Sequence, residues 1–242
     1  MIYLFDIDGT LTPSRLRIDP EFEKFFLEWM KDKDVIFITG SDKDKTIEQV
    51  GEKIWLNAKY AYQSCGNAVY EGGKLIKENK FDAPKDLIHM LYKFLKASDW
   101  QHQHGTHVEE RLGLLNYSTV GRQCDQASRN AYYDWDRISR ERLTLCKMIE
   151  QEFPELEATV GGQISIDIYP KGQNKAQVLD DIKGPITFFG DKCRPGGNDY
   201  PIVERLGQLH EETKLSCTIH EVKSYKDTWN ILLNKREQDG IT

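Results

Sequence analysis

The sequence predicts an α/β protein: a parallel-sheet core split between the two ends of the chain, with a separate α+β unit inserted between them. Two observations predict it. Near both ends, short apolar runs stop abruptly at polar residues and are followed by helical patterns, as buried parallel strands are. The middle carries strands and helices without that alternation. On this reading residues 1–81 and 183–242 form the core and residues 82–182 the insert.

The elements follow in order. Residues 1–5 are an apolar run ending in Asp-Ile-Asp-Gly-Thr; residues 35–39 are a second, ending in Gly-Ser-Asp; residues 185–190 are a third, ending in Asp-Lys. Each reads as a strand. Residues 21–30 and 44–54 supply intervening helices, the second with Ser41 and Asp42 as cap candidates. In the insert, residues 84–95 place Leu87, Met90, Leu91, Phe94 and Leu95 on one helical face. Residues 106–115 and 158–169 read as strands, Ile164, Ile166 and Ile168 alternating with Ser165 and Asp167, and residues 126–152 as helix. Residues 227–234 form a last helix on the core.

Composition narrows the functional classes. At 242 residues the chain can bury a substantial core, and length alone leaves one or two domains open. A net charge of -6 argues against a broad nucleic-acid footprint or an anionic membrane surface as partner. No apolar stretch approaches the roughly 20 residues of a membrane span. Asp6 and Asp8 come too early for a secretory leader. Cys65, Cys124, Cys146, Cys193 and Cys217 are odd in number and form no CxxC pair, which points to reduced thiols in a cytoplasmic protein.

The chemistry concentrates in Asp6-Ile7-Asp8-Gly9-Thr10-Leu11-Thr12. Two carboxylates just past a buried strand sit at the carboxyl end, where parallel sheets bind ligands. Gly9 permits a tight turn and close approach to a phosphate. A carboxylate can attack phosphorus to form an acyl phosphate, and a second carboxyl can protonate the leaving oxygen.

This segment resembles the first motif of the haloacid dehalogenase superfamily of phosphotransferases, whose Rossmannoid core carries an inserted cap. The resemblance implies Asp6 as nucleophile and Asp8 as acid/base and, through its backbone carbonyl, magnesium ligand. Thr39, Gly40 and Ser41 stand where the superfamily binds the transferring phosphoryl group, and Lys175 where its lysine balances charge. Asp191 and Asp199, after the third strand, stand where acidic side chains complete the Mg2+ site with Asp6. Magnesium takes one or two carboxylates with phosphate and water oxygens, which agrees with this set.

The insert narrows the substrate. The chain has eleven Arg and twenty-two Lys, yet between Lys96 and Lys147 there are six Arg and no Lys. Arginine is preferred where forked donors grip a phosphate. Arg137, Arg140 and Arg142, interleaved with Asp136 and Glu141, read as a solvated helical face. Arg111, Arg122 and Arg129 lie in a passage short on competing acids.

That passage, together with Gly161-Gly162-Gln163-Ile164-Ser165-Ile166-Asp167 and Pro195-Gly196-Gly197-Asn198-Asp199, resembles the eukaryotic-type phosphomannomutases. The resemblance implies that Arg15, Arg111, Arg122 and Arg129 bind the distal phosphate and sugar, and that Ser165 and Asp167 hydrogen-bond them. It implies a phosphohexomutase acting on mannose or glucose phosphates through an aspartyl phosphate, with hexose 1,6-bisphosphate as activator, in GDP-mannose biosynthesis. A homodimer through the cap follows by family analogy alone. Thr39 departs from the family's glycine and looks like the superfamily's sugar-phosphate phosphatases. Cys65-Gly66-Asn67 replaces an Glu-Asn-Gly-like turn, and residues 200–205 lack the pattern of a further cation site. A magnesium-dependent sugar-phosphate phosphatase and a non-catalytic sugar-phosphate-binding protein remain as alternatives at this stage.

Overall fold

A computed structural model describes residues 1–238. In chain order the elements are β1 (Ile2–Phe5), α1 (Pro20–Trp29), β2 (Asp34–Ile38), α2 (Lys43–Val50), α3 (Glu52–Asn57), β3 (Tyr60–Gln63), β4 (Ala68–Glu71), β5 (Lys74–Glu78) and α4 (Lys85–Ala97). They continue with β6 (Val108–Arg111), β7 (Leu114–Tyr117), α5 (Gln126–Ser139), α6 (Glu141–Glu152), β8 (Leu156–Gly161), β9 (Ser165–Pro170) and α7 (Val178–Asp181). The chain closes with β10 (Ile186–Gly190), α8 (Tyr200–Thr213), β11 (Cys217–Glu221) and α9 (Tyr225–Gln238). None of the described helices is long and apolar enough to cross a membrane.

The core is a seven-stranded sheet in the order β11-β10-β1-β2-β3-β4-β5. Its first five strands run parallel, and β4 and β5 form an antiparallel extension. Alternate residues of the central strands face opposite sides. Phe5, Val35 and Phe37 pack under α1, α3 and α9, while Leu4, Ile36 and Ile38 pack with α7 and α8. Burial on both faces is why these strands read as continuous apolar runs. Val178, Leu179 and Ile182 join the second of these clusters, so residues 178–182, assigned to the insert from sequence, pack on the core sheet. The last residues of the predicted core, 239–242, lie outside the described residues.

The insert is a four-stranded antiparallel sheet, β6-β7-β9-β8. Leu115, Tyr117, Ile166 and Ile168 face Leu87, Leu91 and Leu95 of α4 and Leu145 and Ile149 of α6. The opposite face carries Asn116 and Asp167, paired in register, and it looks toward the carboxyl ends of the core strands. The predicted strand over residues 106–115 is instead a hairpin, turned at Leu112 and Gly113, where Gly113 holds a φ of +71°.

The predicted helix over residues 126–152 is broken at Arg140, which adopts a left-handed conformation at φ 56°. The break corrects one reading. Arg137 and Arg140 are exposed, but Arg142 is buried: its Nε donates to Asp136 Oδ2 at 2.8 Å, and the side chains are only 4% and 8% exposed. Glu141 is also buried, accepting from Tyr132 Oη at 3.1 Å and from Ser98 Oγ. Arg142 Nη1 further donates to Gly161 O and Ser165 O, which ties the helices to the turn between β8 and β9. Removing one partner of a buried pair leaves the other charge unpaired and commonly costs about 3–5 kcal/mol. Arg142→Met should therefore lose stability on that order in urea unfolding. A loss below about 1 kcal/mol, the range of exposed pairs, would restore the solvated-face reading.

Candidate active site

The site is built where β1 ends. Asp6 donates its backbone N–H to Phe189 O at 2.9 Å, continuing the sheet by one bond, and then the chain turns. Its carboxylate is buried, with Oδ1 2.6 Å from Lys175 Nζ and Oδ2 3.5 Å from Thr10 Oγ1. Lys175 opens a short 3-10 turn capped by Asn174, whose Oδ1 accepts from Ala176 N at 2.9 Å. From there Nζ also reaches Asp199 Oδ1 at 2.7 Å. Asp199 is fixed from its other side by Lys192 N at 3.1 Å.

Asp6, Asp191 and Asp199 each offer an oxygen within 4.8 Å of the others. Burial pushes the Asp6 carboxyl well up, against the pull of the Lys175 ammonium, and Asp199 and Asp191 add to the rise. Burial would lower Lys175, but the Asp199 and Asp6 carboxylates outweigh it and hold its pKa well above the usual lysine range. Burial likewise raises Asp191, with Lys192 opposing. Two oxygens lack donors: Asp191 Oδ1 and Asn198 Oδ1 are buried without a hydrogen-bond partner among the described residues. Buried acceptors of that kind call for a partner. Clustered hard oxygens with excess negative charge fit Mg2+. Gly9 makes room for them, because at φ +81° a Cβ there would lie 2.6 Å from Asp191 Oδ2.

Asp8 is held by a different set of donors. Its Oδ1 accepts from Arg15 N at 2.6 Å, Gln49 Nε2 at 3.0 Å and Ser14 Oγ at 3.5 Å, and its Oδ2 from Ser41 Oγ at 3.4 Å. Thr39 Oγ1 accepts from Ser41 N at 3.1 Å, which fixes the turn after β2. Gly40 O accepts from Arg111 Nη1 at 3.1 Å, a direct tie between the core and the insert.

One cleft unites the two halves. Asp6, Asp8, Arg15, Thr39, Gly40, Ser41 and Asp191 line it from the core, and Arg111, Arg122, Arg129, Ser165 and Asp167 from the insert. Lys175 and Asp199 are not on its wall but lie buried against Asp6. Arg129 Nε donates to Gln163 Oε1 at 3.4 Å, which links α5 to the β8–β9 turn.

The structure corrects the expectation that the arginine passage is short on acids. Glu109 Oε2 accepts from Arg111 Nε at 2.9 Å and lies 3.4 Å from Arg122 Nε. Sequence reasoning also missed Gln49, Asn116, Gln163, Lys192 and Asn198. A glutamine on a charged helix gives no signal of burial. Asn116 was recoverable only from register, since its Nδ2 donates to Asp167 Oδ1 at 2.6 Å from the neighbouring strand.

A buried carboxylate in a cleft between core and insert, a buried lysine against it, an acidic oxygen cluster beside it and four arginines around it suit covalent phosphoryl transfer on a doubly anionic substrate. The family described as eukaryotic phosphomannomutase matches residues 22–235. A phosphomannomutase of Drosophila melanogaster is 36% identical, covering 96% of this chain and 94% of that relative. A phosphomannomutase of Spinacia oleracea is 36% identical over 90% of this chain and 94% of its own. Among solved structures, a haloacid dehalogenase-like hydrolase from Bacteroides thetaiotaomicron superposes with a TM-score of 0.59 at 12% identity, covering 97% of this chain and 98% of that one.

Proposed function

The chain belongs to the eukaryotic phosphomannomutase family, and from that premise we propose how its residues interconvert hexose 6-phosphate and hexose 1-phosphate. The observation that carries the mechanism is the single cleft with Asp6 at one end and the cap arginines at the other. Asp6 holds a phosphoryl group as an aspartyl phosphate. A free sugar hydroxyl attacks phosphorus, Asp8 takes its proton, the new sugar O–P bond forms and the Asp6 O–P bond breaks. The product is a hexose 1,6-bisphosphate. It turns over in the cleft, Asp6 attacks the other phosphate, and Asp8 returns the proton to the departing sugar oxygen.

Throughout, the phosphate not reacting faces Arg111, Arg122 and Arg129, with Arg15 beside them. Ser165, and Asp167 held by Asn116, present polar atoms to the sugar. Thr39, Gly40 and Ser41 receive the transferring phosphoryl group, and Lys175 keeps Asp6 paired between transfers. Asp6, Asp191, Asp199 and the Asp8 carbonyl would hold Mg2+, whose charge offsets the negative charge of the transferring phosphoryl oxygens. The tie of Arg111 to Gly40 O closes the cap over the site and keeps water from the aspartyl phosphate. Family analogy extends the proposal to hexose 1,6-bisphosphate as activator, a homodimer through the cap and a cytoplasmic role in GDP-mannose synthesis.

The test is a coupled assay with mannose 1-phosphate and with glucose 1-phosphate, each with and without the bisphosphate, measuring inorganic phosphate in parallel. Flux to hexose 6-phosphate should rise with the bisphosphate and exceed phosphate release. Stoichiometric phosphate release without isomerisation would instead make the chain a phosphatase.

A further inference from the structure

The cap arginines come with a built-in competitor. Glu109 and Arg111 lie two residues apart on β6 and so share one face of the strand. The Glu109 carboxylate accepts two donors of the Arg111 fork, Nε at 2.9 Å and Nη2 at 2.5 Å, and stands 3.4 Å from Arg122 Nε. One carboxylate oxygen, Oε2, makes all three approaches. The Arg111 and Arg122 side chains, which line the cleft, are 7% and 10% exposed, whereas Glu109 is 38% exposed and lines an adjoining surface groove with Lys43 and Leu112. Among the described residues no other carboxylate forms an ion pair with either arginine.

Like charges crowd there. Burial, Arg15 and Arg111 pull the Arg122 guanidinium down to about 9, and Glu109 opposes them. A phosphate entering the cleft meets two arginines already oriented, one of them with its fork satisfied by Glu109. It must share or displace that carboxylate before it can be gripped by both.

We propose that Glu109 is a counter-ion that competes with the substrate's distal phosphate for Arg111 and Arg122, weakening the cap's hold so that the bisphosphate can let go and turn over. The proposal rests on the mutase reading, because only a mutase must free the distal phosphate from the cap within each catalytic cycle. Binding that is equally tight in every state lowers KM without raising kcat. In a cycle with an obligatory release from the cap, tighter binding also slows the cycle. Glu109 thus trades affinity for turnover while keeping the arginines in place, and the partial exposure of its side chain leaves it room to swing aside.

Glu109→Gln removes the charge and keeps a carbonyl acceptor for Arg111. The KM for mannose 1-phosphate should fall roughly tenfold, as expected for arginines freed from a charge-assisted partner, and kcat should fall with it. Glu109→Ser, a second neutral variant, should move both constants the same way, and Glu109→Asp, which keeps the charge, should stay near wild type. Calorimetric titration with inorganic phosphate requires no turnover, and the Gln variant should bind it more tightly than wild type. Weaker or unchanged phosphate binding and a raised or unchanged KM in both neutral variants, with thermal midpoints preserved, would make Glu109 a positioning residue for the arginines and overturn the proposal. Absence of mutase flux in the wild-type protein would sink the mutase reading instead, and the phosphate titration would still decide whether Glu109 competes for the arginines.

Discussion

Asp6→Asn should lower kcat for hexose-phosphate isomerisation by roughly 10⁴-fold or more, the scale on which covalent enzymes lose rate with their nucleophile. The amide cannot attack phosphorus, and it is a poorer ligand for a hard cation. The fold should survive. An asparagine carbonyl can still accept from Lys175 Nζ, which sits 2.6 Å from Asp6 Oδ1. Burial already disfavours the charged carboxylate at this position, and Asp199 and Asp191 add repulsion, so a neutral side chain relieves a cost. The thermal midpoint of Asp6→Asn should therefore equal or exceed that of wild type while activity disappears. Circular dichroism melts beside the coupled assay make the comparison. A variant that keeps activity within about tenfold would sink the covalent mechanism, and one that loses both activity and folded structure would leave Asp6 with a structural role only.

The parts of this design that were legible in the sequence are those with a strong local signature. Strands buried on both faces announce themselves as apolar runs, so β1, β2 and β10 were readable. The edge strand β5 was not, because every residue from Lys74 to Glu78 is exposed and polar and apolar types mix along it. The alternation of Ile164, Ile166 and Ile168 with Ser165 and Asp167 gave a strand with two unlike faces, but it could not say that the polar face lines a cleft; only the family resemblance pointed there.

Charges were harder to assign, because an ion pair is defined by three-dimensional approach rather than by spacing. Arg142 and Asp136 look like two residues of one wet helix until the left-handed break at Arg140 brings them together in the interior. Glu109 looks like a surface acid on a strand until Arg122, from a separate loop, folds over it. Lys175 and Asp199 were placed by the order of the superfamily's motifs along the chain, not by local pattern. Lys175 reaches Asp6 across 169 positions of the chain and Asp199 across 24, and only the fold brings the three to one point.

The buried lysine carries the second large expectation. Lys175 bridges Asp6 and Asp199 from a fully enclosed position, with Nζ 2.6 and 2.7 Å from their oxygens. Lys175→Met keeps most of the length and the apolar stem of the side chain and removes the ammonium with its two hydrogen bonds. Three carboxylates, those of Asp6, Asp191 and Asp199, then crowd together with Lys192 as the nearest cation. Leaving a buried charge unpaired commonly costs about 3–5 kcal/mol. In a chelator-treated sample the variant should therefore melt well below wild type. A divalent cation is attracted more strongly to the triad once the competing ammonium is gone. Since a ligand that binds only the folded state stabilises it by RT ln(1 + [L]/Kd), the melting point of Lys175→Met should climb steeply with added Mg2+. Wild type should climb less. Activity should stay depressed by roughly a hundredfold or more even at saturating Mg2+, because the cation does not replace the ammonium donor that pairs with Asp6 Oδ1. Differential scanning fluorimetry across a magnesium series separates the two effects. A Lys175→Met protein that melts like wild type in chelator, or whose melting point ignores Mg2+, would mean that the three carboxylates neither depend on Lys175 for neutralisation nor hold a cation between them.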